Sequence, residues 1–179
     1  MNIKFGSLII FLFAFTMLGF AQPEQENSIE LERRHGFKGI KLNQSIDSVL
    51  GASLKKEFSD QWKEEDAFPA KLYSVKHNAY ASIGEVKVNN IEIKTYRDLV
   101  YEIEVTTDKD NRVMKAMEMA FGKALYNLRS KNYRWRADNL SLTFIGNKNS
   151  ITLIYKSYEV IKLIGLDQGK KIERIAEDF

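Results

Sequence analysis

The sequence predicts an α+β fold, an antiparallel β-meander sheet with helices packed on one face. Three observations carry that prediction. Apolar and polar residues alternate through most of 72–106 and again through 132–158, the period of strands with one buried face. Turn-forming pairs, Asn89-Asn90, Arg97-Asp98, Asp138-Asn139 and Gly146-Asn147, separate those runs at hairpin spacing. Two other stretches carry apolar residues at helical spacing behind a capping side chain, and a glycine closes each, Gly51 and Gly122. A helix followed by strands thus occurs twice. This order leaves a tandem helix-plus-strands repeat open, although the two halves match poorly residue by residue.

The chain opens on an expected secretory signal peptide, residues 1–21. Lys4 is its only charge, 8–20 is almost wholly apolar, and the small residues Gly19 and Ala21 flank Phe20 before a polar segment begins at Gln22. An uncleaved anchor is the rival, because the uncharged run 5–23 approaches the roughly 20 residues that cross a bilayer. The strongly apolar part is shorter than that, and the small residues sit where cleavage needs them. A lipid anchor needs a cysteine at the cut, and there is none. The expected address is therefore beyond the inner membrane, periplasmic or secreted, soluble after cleavage near Ala21/Gln22 and without stable membrane insertion.

Of 179 residues, removing these 21 leaves 158, one domain's worth of chain. Residues 22–35 read as a polar tether and 36–179 as a single α+β domain ending in a helix. A short strand near Ile40 precedes Ser45, an N-cap for a compact helix with Ile46, Val49 and Leu50 inward and Gly51 as its stop. Residues 53–67 are charged and extend that helix or form a loop, with Phe58 and Trp62 as the buried contacts. Strands are expected at 72–76, 81–88, 91–96 and 99–106. In the last, Leu99, Tyr101, Ile103 and Val105 share the core face, while Glu102, Glu104 and Thr106 share the wet one. Asp108 and Asp110 offer caps for a helix over 109–121, whose stripe is Val113, Met114, Met117, Ala120, Phe121 and Ala124. Strands follow at 132–136, 140–145 and 151–158. A tail helix with Val160, Ile161 and Ile164, then Ile172, Ile175 and Phe179, is expected to break near Gly165 and Gly169 and to pack on the sheet.

Composition excludes more than it identifies. With no cysteine, stability at an oxidising address comes from packing, and thiol nucleophiles, redox pairs and thiolate metal sites are ruled out. Lys plus Arg number 27 against 24 Asp plus Glu. Without Lys4 the mature balance is 26 against 24, too even to name a partner.

The run from Gly39 to Ser45, then Val49-Leu50-Gly51 and a meander, resembles small bacterial envelope domains. These are the β-lactamase-inhibitor-protein-like and outer-membrane-assembly small-lipoprotein type. The resemblance implies a short helical segment on an antiparallel sheet, in a domain that binds other proteins. It implies no functional residue. This chain departs from the lipoproteins in lacking the lipobox cysteine, and it is longer than one such unit.

Several motifs invite chemistry, and each has a structural explanation. Met114, Met117 and Met119 suggest soft copper ligation, but at about 100° per residue Met117 and Met119 diverge by about 200° on one helix, so core filling explains them. His35 and His77 are far apart, with no carboxylate at ligand spacing. Ser53-Leu54-Lys55-Lys56 matches the Ser-x-x-Lys pattern of penicillin-recognising enzymes, without its companion motifs. Glu102 and Glu104, a carboxylate pair of the kind used in glycoside hydrolysis, follow from strand alternation alone. Glu64-Glu65-Asp66 reads as a solvated run. No cofactor and no catalytic residue is expected.

The best surface candidate is Arg129, Lys131, Arg134 and Arg136, interleaved with Tyr126, Tyr133 and Trp135. Such a composition grips phosphate and stacks bases. In a strand, however, Tyr133 and Trp135 face the core while Arg134 and Arg136 face water. Nucleic acid is also a poor partner for an exported chain. An acidic protein surface or an anionic glycan suits these cations better, and a plain solvated strand accounts for them without a partner.

The reading is a non-catalytic periplasmic or secreted binding module whose partner is another envelope or secreted protein. A small-ligand or lipid-binding domain is the alternative, and an enzyme of unrecognised type ranks below it. Amino-terminal sequencing of the protein recovered from an expressing cell is expected to begin near Gln22; an intact Met1 in a membrane fraction refutes the cleavage.

Overall fold

The computed structural model describes residues 29–58 and 70–177. The expected signal segment, Trp62, the Glu64-Glu65-Asp66 run, Phe179 and the side chains of Phe58 and Ile175 lie outside that description. Among the described residues, no helix is long and apolar enough to cross a membrane.

Helix α1 (Ile29–Arg34) replaces the second half of the expected tether. Glu30 and Glu32 lie in its first turn and Arg33 and Arg34 in its last, each sign favoured by the helix dipole there. Its one core side chain, Leu31, is fully buried and seats the turn. Strands β1 (Gly36–Phe37) and β2 (Ile40–Lys41) form a hairpin, with Lys38 and Gly39 both at positive φ in its two-residue turn. Ser45 then caps as expected, accepting from Asp47 N at 3.3 Å, but it caps only one 3-10 turn, Ile46–Ser48. Ile46 and Val49 are buried while Leu50 is exposed. The reason is Gly51. At φ +74° it swings the chain against the neighbouring strand, and a Cβ there would lie 2.2 Å from the Lys76 carbonyl oxygen.

Residues expected to prolong a helix or loop instead form β3 (Ala52–Phe58), which pairs with β4 (Ala70–Val75). A 3-10 turn, Asn78–Tyr80, and β5 (Ser82–Ile83) lead into the long β6 (Val86–Tyr96). Asn89-Asn90 is no turn. It lies in a bulge of β6, where the register passes from Val88↔Thr107 to Asn90↔Thr106. The reversal sits earlier, at Gly84-Glu85, between the paired Ile83 and Val86. Arg97 and Asp98, with φ of 51° and 59°, make the expected tight turn into β7 (Leu99–Asp108).

Asp110 caps α2 (Asn111–Phe121) through Arg112 N at 2.8 Å, and Gly122 ends it at φ +80°. Strands β8 (Leu125–Asn127), β9 (Asn132–Arg136), β10 (Leu140–Gly146) and β11 (Ser150–Ser157) follow, then α3 (Tyr158–Glu177). Helix α3 runs through Gly165 and Gly169 without the expected break. It rests against β7 and β10, and Asp167 ties it down by accepting from the Tyr96 hydroxyl at 2.8 Å and Arg97 at 2.6 Å.

The main sheet runs β3-β4-β6-β7-β11-β10-β9-β8, with β5 paired to β6. It is two antiparallel four-strand meanders, each following a capped helical segment closed by a positive-φ glycine. They meet at their last strands, β7 and β11. One sheet face carries Ile93, Ile103, Val105, Leu142, Leu153 and Trp135, and α1, α2 and the β1–β2 hairpin bury it with Leu31, Val113, Met117 and Phe37. The expected Tyr101 is not the buried residue at the start of β7. A bulge sets Val100 opposite Thr95 and Glu102 opposite Lys94, so Val100 enters the core in its place. Replacing Gly51 by Ala is expected to cost about 3 kcal/mol, from left-handed strain plus collision with backbone. Urea unfolding measures that loss, and a cost below about 1 kcal/mol contradicts the close approach.

Candidate functional site

The four sequence-selected cations fall on one hairpin. β8 and β9 pair through Leu125↔Arg134, Tyr126↔Tyr133 and Asn127↔Asn132. Asn127 shapes the turn by accepting from Arg129 N at 3.0 Å and Ser130 N at 3.1 Å, which presents Arg129 and Lys131 at its exposed tip. Arg134 and Arg136 alternate with Tyr133 and Trp135 along β9 and are exposed. Arg136 also stacks over the Tyr158 ring at 5.7 Å. The cations are thus split, two at the tip and two along the strand.

The two rings of β9 part company. Trp135 is fully buried, donating from Nε1 to the Gly122 carbonyl at 2.7 Å. Tyr133 stays 37% exposed although alternation sets it on the same face as Trp135. It packs against Tyr126, 49% exposed, with ring centroids 4.8 Å apart, and edge-on against Phe144 at 6.2 Å. Leu125, opposite Arg134 on the other face of the hairpin, and Leu128 in its turn are also exposed. Tyr133 is therefore a surface residue that sequence alternation assigned to the core.

This apolar patch lies on an open edge. β8 ends the sheet among the described residues, so one side of its backbone faces no strand. The opposite edge is β3, where Lys55, Lys56 and Glu57 discourage further pairing. The two edges are built differently.

The other candidates have structural partners. Glu102 is not on a wet face: it is 5% exposed, bonded by Lys94 at 2.7 Å and Lys156 at 2.8 Å from the strands on either side. Burial would raise its carboxyl pKa, but the hydrogen bonds and charges of Lys156 and Lys94 outweigh it and hold it below the ordinary value. Ser53 Oγ lies 2.9 Å from Ser74 Oγ on a strand. His77 Nδ1 accepts from Ala79 N at 3.2 Å as the cap of its 3-10 turn, and His35 Nε2 lies 3.3 Å from the Asn43 amide. Met117 is buried and Met119 points outward, 89% exposed. Among the described residues no three His, Cys, Asp or Glu side chains gather in a way that holds a metal ion.

A cavity of about 440 Å³ lies between α2, the β1–β2 hairpin and the sheet, a feature no sequence motif announced. Its walls are mostly apolar, with Phe37, Val113, Met117, Phe121 and Leu153 among them, and its charged members are Arg34 and Lys38. Gly36 makes the close fit possible, since a Cβ there would stand 2.1 Å from the Ile40 carbonyl oxygen.

Comparison with protein-family models, curated proteins and solved structures gives no match to this chain.

Replacing Glu102 by Gln is expected to cost about 1–3 kcal/mol at neutral pH, where the carboxylate is ionised between two lysines. Because the folded pKa lies below the unfolded one, this contribution is present above the ordinary carboxylate pKa and is lost as pH falls through the folded value. The gap in melting temperature between wild type and Glu102→Gln should therefore narrow from about pH 5 to about pH 3. A gap that stays constant over that range contradicts the clamp.

Proposed function

We propose that this chain is a non-catalytic binding module of the periplasm or extracellular space. Its partner is another envelope or secreted protein, docked at the β8–β9 edge. The observation that carries this reading is the exposed Tyr126–Tyr133 pair on an open strand edge. An extended segment adding to β8 gains backbone hydrogen bonds, and the tyrosines offer rigid apolar area at little entropic cost. Arg129, Lys131, Arg134 and Arg136 select an acidic segment by charge, chiefly through on-rate and register. The resemblance of the Gly39–Ser45 opening to protein-binding envelope domains supports the same class. So does the engagement of Glu102 and Ser53 in structural hydrogen bonds, which gives both residues work other than catalysis. The cavity beneath the β1–β2 hairpin favours a second role, in ligand binding.

The test is affinity capture from envelope extracts with the wild-type protein and two variants, followed by measured affinity for whatever is recovered. Tyr126→Ser with Tyr133→Ser is expected to weaken that partner at least about tenfold. Arg134→Glu with Arg136→Glu should leave folding intact, slow association and reduce its salt dependence. Unchanged affinity in both double variants refutes the assignment of this edge.

A further inference from the structure

Three polar groups converge on the otherwise apolar cavity. Tyr155 is 5% exposed and lines it, yet its hydroxyl bonds to no described residue. On the cavity wall that hydroxyl is a donor open to an acceptor entering the cavity. Arg34 is held ready at the same place: its Nε donates to Glu30 at 2.6 Å and its Cζ stacks 5.5 Å over the Phe121 ring. Its Nη groups donate to no described residue. The guanidinium lies near enough to Tyr155 to act on it electrostatically, while burial raises the phenol pKa and keeps it a proton donor. Lys38, at the tip of the β1–β2 hairpin, makes no ion pair or hydrogen bond with a described residue. Among the described residues no acid lines the cavity; Glu30 is shared by Arg33 and Arg34, and Glu32 bonds Asn139.

We propose that this cavity is a binding site for a single-chain amphiphile with an anionic head, a free fatty carboxylate. The chain lies along Met117, Phe121 and Leu153. The carboxylate accepts from the Tyr155 hydroxyl and from Arg34, with Lys38 closing over it. Charge complementarity selects this occupant: a neutral head gains no charge-assisted bond from Arg34 or Lys38, and a cationic head meets like charge. The volume falls within the roughly 300–1,000 Å³ of small-molecule sites. The site is separate from the β8–β9 edge and stands or falls independently of it.

Calorimetric titration of the purified chain, as its host cell processes it, with dodecanoate below its micellar concentration tests the proposal. Dodecanol, dodecyltrimethylammonium and vesicles of anionic phospholipid serve as parallel probes. Saturable one-to-one binding of dodecanoate is expected, at least about tenfold tighter than dodecanol. Tyr155→Phe and Arg34→Gln should each weaken it about three- to tenfold. Ala120→Phe, which fills the cavity, should abolish it, and Ala116→Trp at the helix surface provides a second block if the first fails to fold. Tyr126→Ser with Tyr133→Ser should leave it unchanged. Absence of saturable binding, equal affinity for dodecanol, retention on vesicles alone, or full affinity in a folded cavity-filled variant overturns the proposal.

Discussion

The pairing of β7 with β11 is the constraint on which the rest of this molecule depends. Residues from Ser150↔Asp108 to Lys156↔Glu102 join the last strand of one meander to the last strand of the other. Without that seam there are two small sheets, each short of the area needed to bury a helix layer. The seam also determines which side of each strand is core. Ile103, Val105, Leu153 and Tyr155 enter the core from its two strands, and Glu102 is carried to the opposite face between Lys94 and Lys156. A one-residue slip would exchange these two sets, placing a carboxylate in the core and the aliphatic side chains in water.

Joining the meanders at their last strands leaves their first strands, β3 and β8, as the sheet's two ends. The ends are not equivalent. β3 carries Lys55, Lys56 and Glu57, charges that limit pairing with other chains. β8 instead presents an exposed Tyr126 against Tyr133, with Leu125 exposed on its other face. An exposed apolar open edge is otherwise a liability for pairing with other chains, and the proposed docking role would put it to use. The helix layer also leaves the cavity, because α2 and the short β1–β2 hairpin meet over the sheet at a distance their side chains do not fill.

Much of this layout is legible in the order of residues, and the failures have physical causes. The alternation of 99–106 and of 132–136 marks strands, and Asp110 and Ser45 are capping residues wherever the chain takes them. β3 was hidden because an edge strand is wet on both faces and shows no alternation. The bulges at Asn89 and Tyr101 were hidden because an extra residue changes the phase of alternation without changing composition. Leu31 was too isolated to mark a helix. Of the candidate site, the four cations were found from composition, while the exposure of Tyr133 was missed because alternation names a side of the sheet without saying what covers it.

By itself, then, the sequence determined the α+β class, most strands, the caps, the glycine stops and the lack of any thiol chemistry. These are local properties, set by side-chain period and backbone sterics within a few residues. Only the tertiary structure decided that the meanders join at β7 and β11, that Glu102 is clamped, that β8 is an open edge and that Tyr155 lines a cavity with Arg34 and Lys38. Each of these depends on residues far apart in the chain, whose meeting follows from packing the whole sheet against its helices.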